Sequence, residues 1–383
     1  MADTNYNQNN QYLACKSINR KVTVRVDLLN ENFDKVSSLD CELTGGSLTM
    51  SNSEMIRRDG TLELISTKEL NTDYFKIDLD NYVQVYFIVQ STDDDKIYAE
   101  YNMGVYMLNS PETKISDKSL SINICDLMKK YDGSFGGGVP AKITFDADTD
   151  LDTVIKSIAT DSELMGLTKT KIESNDFIIP SDQEFSADTN ITDMLKTLKD
   201  LYMNTEMYFD ENGYFCYNTI KNKYSDSPIY TFDNDDNYID ITYKKNFENV
   251  KNSVKVWGSV NQGSTDETEP YQYVYEAKNE TGTPFSIDKI KVRRTSISND
   301  KAQSAESCKS EAEYNLELYS NMAETISMEI VPIYYLVPNR IIEINYSNDE
   351  IEIEGKWCID SVNFDFATDG IQTIEAHKVY KPL

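Results

Sequence analysis

His377 is the sole histidine of this 383-residue chain, so a Ser-His-Asp, Cys-His or H-E-x-x-H centre would have to be built on it. It sits six residues from the C-terminus in an alternating pattern that reads as a strand, and no H-E-x-x-H occurs. Six cysteines (Cys15, Cys41, Cys125, Cys216, Cys308 and Cys358) lie far apart, with no C-x-x-C among them. Zinc and thioredoxin-like sites are therefore excluded. Scattered thiols in apolar patterns read as small hydrophobic side chains.

The acids invite metal chemistry. "DADTDLD", Asp146 to Asp152, places carboxylates at alternate positions. A hand-type calcium loop needs Gly at its sixth position and Glu at its twelfth. Leu151 and Ser157 stand there instead. The run reads better as acids complementing a helix N-terminus. "DENGY", Asp210 to Tyr214, reads as a hairpin turn, and "DNDD", Asp233 to Asp236, as a solvated loop. With 65 acidic residues, carboxylate pairs suited to glycoside hydrolysis are too numerous to single one out. Arg57-Arg58 is a local basic pair that answers the surrounding acids; its second reading is a subunit contact. No catalytic, cofactor-binding or metal-ligating residue is assigned, no cofactor is implied, and the chain is expected not to be an enzyme.

The formal net charge is −28, from 37 basic and 65 acidic residues. That argues against a protein that reads nucleic-acid sequence, which needs a basic face. No apolar run approaches the roughly 18 residues of a membrane helix. The first residues, "MADTNYNQNNQYLA", lack the basic-then-apolar pattern of a signal peptide. A soluble protein made in a cytoplasm, with no membrane anchor, is expected. Its 26 tyrosines and 14 phenylalanines favour β structure.

The elements follow from periodicity. Residues 1–14 read as a flexible arm. From "RKVTVRVDLL" onward, period-two alternation gives an antiparallel all-β unit over 15–126, with one turn expected at Asp59-Gly60. "SFGGGVPAK" is a breaker-rich link. Two helices follow. One carries Leu151, Val154, Ile155 and Ile158 on one face; the other, capped by Thr189 or Asn190, carries Ile191, Met194, Leu195, Leu198 and Tyr202. A hairpin turns on Asn212-Gly213. Residues 127–240 thus form a small α+β domain. β patterning returns over 241–383, interrupted by a polar insertion at about 261–288 and a long helix at about 299–323. That helix has a narrow stripe of Ala302, Ala305, Cys308, Ala312, Leu316 and Tyr319, whose small residues imply close packing on a sheet.

The two β regions repeat one another. Gly104 to Ser110 ("GVYMLNS") and Gly355 to Ser361 ("GKWCIDS") share G-x-aromatic-x-aliphatic-[ND]-S. An Asn-led strand precedes each ("NYVQVYFI" from Asn81, "NRIIEINY" from Asn339), and "KSLSINI" and "GIQTIEA" follow. The fold class expected is mainly β with an α+β insertion: two tube-forming β-barrels of common topology flanking a small α+β domain.

The run "SMEIVPIYYLVPNRIIEINYSNDEIEIEGKWCIDSVNFDFATDGIQTIEAHKVYK" resembles the last barrel of phage tail baseplate hub proteins, also called tail-tip or tail-associated proteins. "GGSLTMSNSEMIRRDGTLEL" and "MGVYMLNSPE" resemble the first barrel of that family, and "SADTNITDMLKTLKDLYMNTEMYFDENGYF" its middle domain. The resemblance runs from about Arg20 to Lys381. It implies a homotrimer whose six barrels form a hollow ring at the far end of the tail. Such a ring joins the sixfold tail tube or distal tail protein to a threefold tip or spike protein, near the tape measure protein. DNA passes through the lumen without sequence-specific binding. Relatives with a C-terminal lytic or host-binding extension lead to the expectation that, in this chain ending at Leu383, that activity is absent or lives on another protein. Two other readings stand beside it: a carbohydrate-binding receptor protein of the tail tip, using the tyrosines and the loop 261–288, and an acid-pair glycosidase. An excess of Asp and Glu at tube-facing positions is also expected, because phosphate-neutralising cations would hold the genome.

Overall fold

The computed structural model describes residues 8–17, 19–39, 41–66, 82–94, 96–114, 116, 118–202, 205–234, 238–261, 271–320, 323–348, 351–367 and 370–381. The chain opens with helix α1 (Gln8–Lys16). The first β unit follows as β1 (Arg20–Leu29), β2 (Lys35–Leu39), β3 (Cys41–Ser51), β4 (Arg58–Ser66), β5 (Tyr82–Ser91), β6 (Tyr98–Lys114) and β7 (Ser119–Asp126). β2 and β3 act as two halves of one bent run: β2 pairs with β1, and β3 pairs with β4. Since β1–β5–β6–β7–β4 is a continuous antiparallel ladder, the run closes the sheet into a barrel. Closure removes edges that would otherwise seek partners. Alternation then sends Val24, Val26, Leu48, Leu62, Val83, Val85 and Phe87 inward, where all are buried.

The middle region starts with a 3₁₀ turn, Leu127–Tyr131. It contains β8 (Ile143–Phe145), α2 (Leu151–Thr160), β9 (Thr170–Ile172), β10 (Gln183–Phe185), α3 (Ile191–Lys199), β11 (Thr205–Phe209) and β12 (Phe215–Thr219). Both helices bury the faces their periodicity indicates, except that Tyr202 lies beyond α3. This region is itself duplicated. Val139-Pro140 leads through Phe145-Asp-Ala-Asp-Thr149 into α2, and Ile179-Pro180 leads through Phe185-Ser-Ala-Asp-Thr189 into α3. The two copies clasp reciprocally. Val139 N–H donates to Thr189 O (2.9 Å) while Val139 O accepts from Asp188 N–H (2.8 Å); Ile179 N–H donates to Thr149 O (2.9 Å) while Ile179 O accepts from Asp148 N–H (2.9 Å). Asp148 and Asp188 both adopt left-handed φ, +61° and +66°, which Asp tolerates better than most residues.

The rest comprises β13 (Tyr230–Asp233), β14 (Tyr238–Asn246), β15 (Ser253–Asn261), β16 (Tyr271–Lys278), α4 (Ile287–Ile290), β17 (Arg294–Ser298), α5 (Ala305–Tyr319), β18 (Ala323–Ile330), β19 (Ile341–Ser347), β20 (Glu352–Asp365) and β21 (Gln372–Lys378). The order β14–β18–β21–β20–β19–β13 makes a second barrel with the chain order of the first. β13 and β14 correspond to β2 and β3, and β18 to β21 correspond to β4 to β7. β1 has no counterpart, so β13 pairs directly, and in parallel, with β19. Gly104 and Gly355 fall in the equivalent strands β6 and β20, both at positive φ (+121° and +105°). The mainly-β class with two barrels of common topology and an α+β insertion is thus what the chain adopts.

Several sequence expectations need correction. Residues 8–14, placed in a flexible arm, and 15–16, placed in the first barrel, together form α1, because Ala14 and Cys15 are buried against the barrels; residues 1–7 lie outside the described residues. Asp59-Gly60 is not a turn but lies within β4; a Cβ on Gly60 would stand 2.3 Å from Ser47 O, so glycine serves close strand approach there. β13, assigned to the middle domain, is barrel wall. β15, assigned to the second barrel, belongs with β16 and β17 to a separate three-stranded sheet covered by α5, so the polar insertion is part of a small α/β unit; residues 262–270 lie outside the described residues. α5 is shorter than 299–323 because Ser304 caps it, accepting from Ser307 N–H (3.0 Å). Ala305 on the expected stripe is exposed. Cys308, Ala312 and Leu316 are buried, and a Cβ on Gly258 would meet Cys308 Sγ at 2.7 Å, which is the close packing the small residues imply.

Candidate assembly interface

The basic pair is used inside the chain. Arg57 extends an Nη2 to Glu206 at 2.6 Å, and its guanidinium lies 3.9 Å from the centre of the Tyr208 ring. Only 9% of its side chain is exposed. Arg58 donates to Phe209 O (2.6 Å). The pair therefore pins the first barrel to the β11–β12 hairpin, and the subunit-contact reading of Arg57-Arg58 gives way to the intramolecular one. Gly104 makes room: a Cβ there would lie 2.3 Å from an Arg58 guanidinium nitrogen. Asp126, buried beneath, accepts from Met128 N–H (2.8 Å) and Arg57 N–H (3.3 Å). Burial pushes its carboxyl pKa up, with Arg58 opposing.

The two barrels meet through backbone. β20 is long enough to serve both: residues 357–364 pair with β21 on one side, while on the other 352–358 pair with β19 and 361–365 with Ser47–Ser51 of β3. Above this joint the "IYYLVPN" stretch is a turn-rich connection and not a strand. It carries aromatic rings into the seam instead. Tyr334 stacks on Phe87 (4.6 Å between centroids) and on Phe364 (5.6 Å), and Phe87 also touches Phe366 (5.0 Å). Gln372, fully buried, accepts from Ile333 N–H and donates to Leu336 O, holding the connection in place. Arg20 ties α1 to the same seam, donating to Cys15 O (2.5 Å) and Pro332 O (2.8 Å).

A cleft of about 1190 Å³ lies between the second barrel, the middle region and α5. At its wall Glu324 accepts from Tyr243 and Tyr380 hydroxyls and faces Lys378 at 3.5 Å. Burial raises the Glu324 pKa, but these partners outweigh it and hold the carboxylate below its ordinary value. His377 meets Asp360 at 2.7 Å, half exposed on the barrel surface. The adjacent Cys358 thiol is pushed up to about 12 by burial, and Ser361 donates to Glu375, so neither is poised as a nucleophile.

The acidic motifs fall apart as sites. Asp150 is the N-cap residue of α2 and Asp152 lies in its first turn. Asn190 caps α3 by position, with its amide on Asp193 rather than on a backbone group. Asp210 organises the hairpin turn, accepting from Asn212 and Tyr214 N–H (both 2.9 Å) and binding Lys171 at 2.6 Å. Asp233, expected in a loop, closes β13, while Asp235 and Asp236 lie outside the described residues. Among the described residues no group of three His, Cys, Asp or Glu could hold a metal ion, and no helix is long and apolar enough to cross a membrane.

Reasoning from sequence missed the barrel-to-barrel strand joint and the duplication inside the middle region. The first was signalled by the length of the "EIEGKWCIDSVNFD" run, and the second by F-x-A-D-T recurring at Phe145 and Phe185.

By sequence, no family model and no curated protein matches the chain. By structure, the chain is similar to a tail protein from Neisseria meningitidis (TM-score 0.59, 10% identity, covering 93% of this chain and 96% of that one). It is also similar to prophage tail protein gp18 from Listeria monocytogenes (0.57, 14% identity, 92% and 94%). A third similarity is to the Francisella PdpA–VgrG complex (0.55, 10% identity, 96% of this chain and 54% of that one). The chain has the fold of phage tail proteins.

Proposed function

We propose that this chain is a structural virion protein, a baseplate hub at the far end of a phage tail. Three copies form a hollow ring between the sixfold tail tube or distal tail protein and a threefold tip. The observation that carries the reading is the duplication: two barrels of one strand order stand side by side in a single chain, joined strand to strand. Three such chains supply six similar barrels with threefold chemistry, which is what an adapter between those symmetries requires. The tail-protein fold supports the same reading. The strands are wall, and the chemistry on them serves to hold shape. The tape measure and tip proteins are its remaining proposed neighbours, and the chain itself catalyses nothing.

The acidic balance fits passage of DNA. Screening reaches roughly 8 Å at physiological salt, so only charges on the lumen wall act on the duplex. Acids at those positions form a low-friction sleeve, whereas a wall of Lys and Arg would bind phosphate. Labelling the protein in intact particles and imaging them tests the placement. Label at the distal end of the tail, with threefold order, is expected; label on the capsid, along the tail shaft or absent from particles would overturn the reading.

A further inference from the structure

The joint between barrels uses one edge of each. In the ladder, Thr49 of β3 faces Asn363 of β20. Duplication assigns each of these residues a counterpart. Thr49 faces Asp59, Asp59 faces Cys125, and Cys125 faces Met107, three residues beyond Gly104. Lys244 faces Thr325, Thr325 faces His377, and His377 faces Cys358, three residues beyond Gly355. Lys244 is therefore the counterpart of Thr49. Asn363 lies eight residues after Gly355, and Glu112 lies eight residues after Gly104, so Glu112 is the counterpart of Asn363.

Among the described residues, those counterpart edges are open. Among the described residues β14 pairs with β18 on one side and with no strand on the other. Among the described residues, 109–112 of β6 have left β5, whose described pairing ends at Met107, and have β7 alone beside them. Asn109, Ser110, Pro111 and Glu112 are exposed, as are Lys244 and Lys245. Phe247, just past β14, is 65% exposed, and Ile239 near its start is 57% exposed. Lone exposed apolar residues are ordinary, but these two bracket an open strand edge.

We infer that β14 of one copy pairs antiparallel with the second half of β6 in the next copy, in the register that sets Lys244 opposite Glu112. The partner is a second copy of this chain, and the inference rests on the ring reading above. The contact is heterologous, one barrel's β14 edge to another barrel's β6 edge, so it propagates from chain to chain until rotation closes it. Charge supports the register. The built joint has a neutral pair, Thr49 with Asn363, while the open edges bring a lysine against a glutamate, a favourable cross-strand pair. Pro111 stands where Val362 stands in the built joint. It lacks an N–H, so this ladder has one donor fewer, and the exposed edge is a poorer template for unrelated strands.

The test is a full-length variant carrying Glu112→Cys and Lys244→Cys, oxidised at high protein concentration and resolved without reductant. Residues directly opposite in an antiparallel pair lie about 4.5–5.5 Å apart at Cα, within disulfide reach. Inter-chain products ending at the trimer, absent from each single-cysteine variant, are expected. A second arm uses Glu112→Lys, which should weaken association about tenfold, with Lys244→Glu restoring it. A trimer by light scattering in which 112 and 244 never cross-link overturns the edge pairing and leaves the ring standing. Cross-linked products continuing past three copies support the pairing and overturn the closed ring of three. A chain that stays monomeric without cross-links at every concentration overturns the pairing, while the ring is then judged from the copy number in isolated tails.

Discussion

Tyr334 and Phe87 stack at 4.6 Å with their rings 8° from parallel, and they come from different barrels. Tyr334 lies on the connection between β18 and β19, and Phe87 on β5 of the first barrel. With Phe364 and Phe366 they fill the seam beside the β3–β20 ladder, so the barrels share one hydrophobic core. Replacing Tyr334 with alanine should destabilise the protein by about 3–5 kcal/mol, the usual loss for a large buried aromatic. Chemical denaturation followed by tyrosine fluorescence measures it. A broadened or two-step transition is also expected, because the barrels lose their shared packing; a loss under 1 kcal/mol with an unchanged slope would count against the shared core.

Gly104 and Gly355 allow a paired comparison. Both have left-handed φ, so alanine at either site carries strain of order 1–3 kcal/mol. Only at Gly104 does the new Cβ also collide with Arg58, at 2.3 Å; at Gly355 the nearest atom is the Lys378 Cε at 3.6 Å. Gly104→Ala should therefore be more destabilising than Gly355→Ala by at least about 1 kcal/mol. Equal losses would mean that Arg58 gives way freely.

Arg57→Ala should cost about 3 kcal/mol, because Glu206 loses its charge partner and Tyr208 its stacked guanidinium. The readout is protease sensitivity of the β11–β12 hairpin together with thermal unfolding. Subunit association should be unaffected, since Arg57 is spent within the chain; an association defect in a stably folded variant would restore the intersubunit role.

The pH dependence has a stated sign. Burial opposes ionisation of Glu324, yet hydrogen bonds from Tyr243 and Tyr380 and the charge of Lys378 hold its pKa below the ordinary 4.5. Its contribution to stability is present above 4.5 and is lost as pH falls through the lower folded-state value. Glu324→Gln should be less stable than the parent at neutral pH, and the gap should shrink in acid. Asp126 works the other way, because its folded-state pKa is raised and its ionisation penalises the fold as pH rises. The difference between parent and Glu324→Gln isolates the one group; a gap that widens in acid would contradict the assignment.

The barrels were legible because period-two patterning and the G-x-aromatic-x-aliphatic-[ND]-S element are local. Val24 and Val26 alternate with Thr23 and Arg25 for the same reason that they face inward. The burying of Arg57 was not legible, because Glu206 and Tyr208, which decide it, lie in another element. α1 was taken for an arm because its composition is polar, and only the barrels' aromatic mouth supplies partners such as Tyr230 for Tyr12. The assignment of β15 to the second barrel failed for a related reason. A strand's alternation tells which face is buried, not which sheet buries it.

The hub reading is tested most directly by the number of copies of this chain in an isolated tail, measured by quantitative mass spectrometry against a tail-tube protein whose rings are sixfold. Three copies per tail are predicted. Six copies, or a copy number that scales with tail length, would contradict the hub assignment.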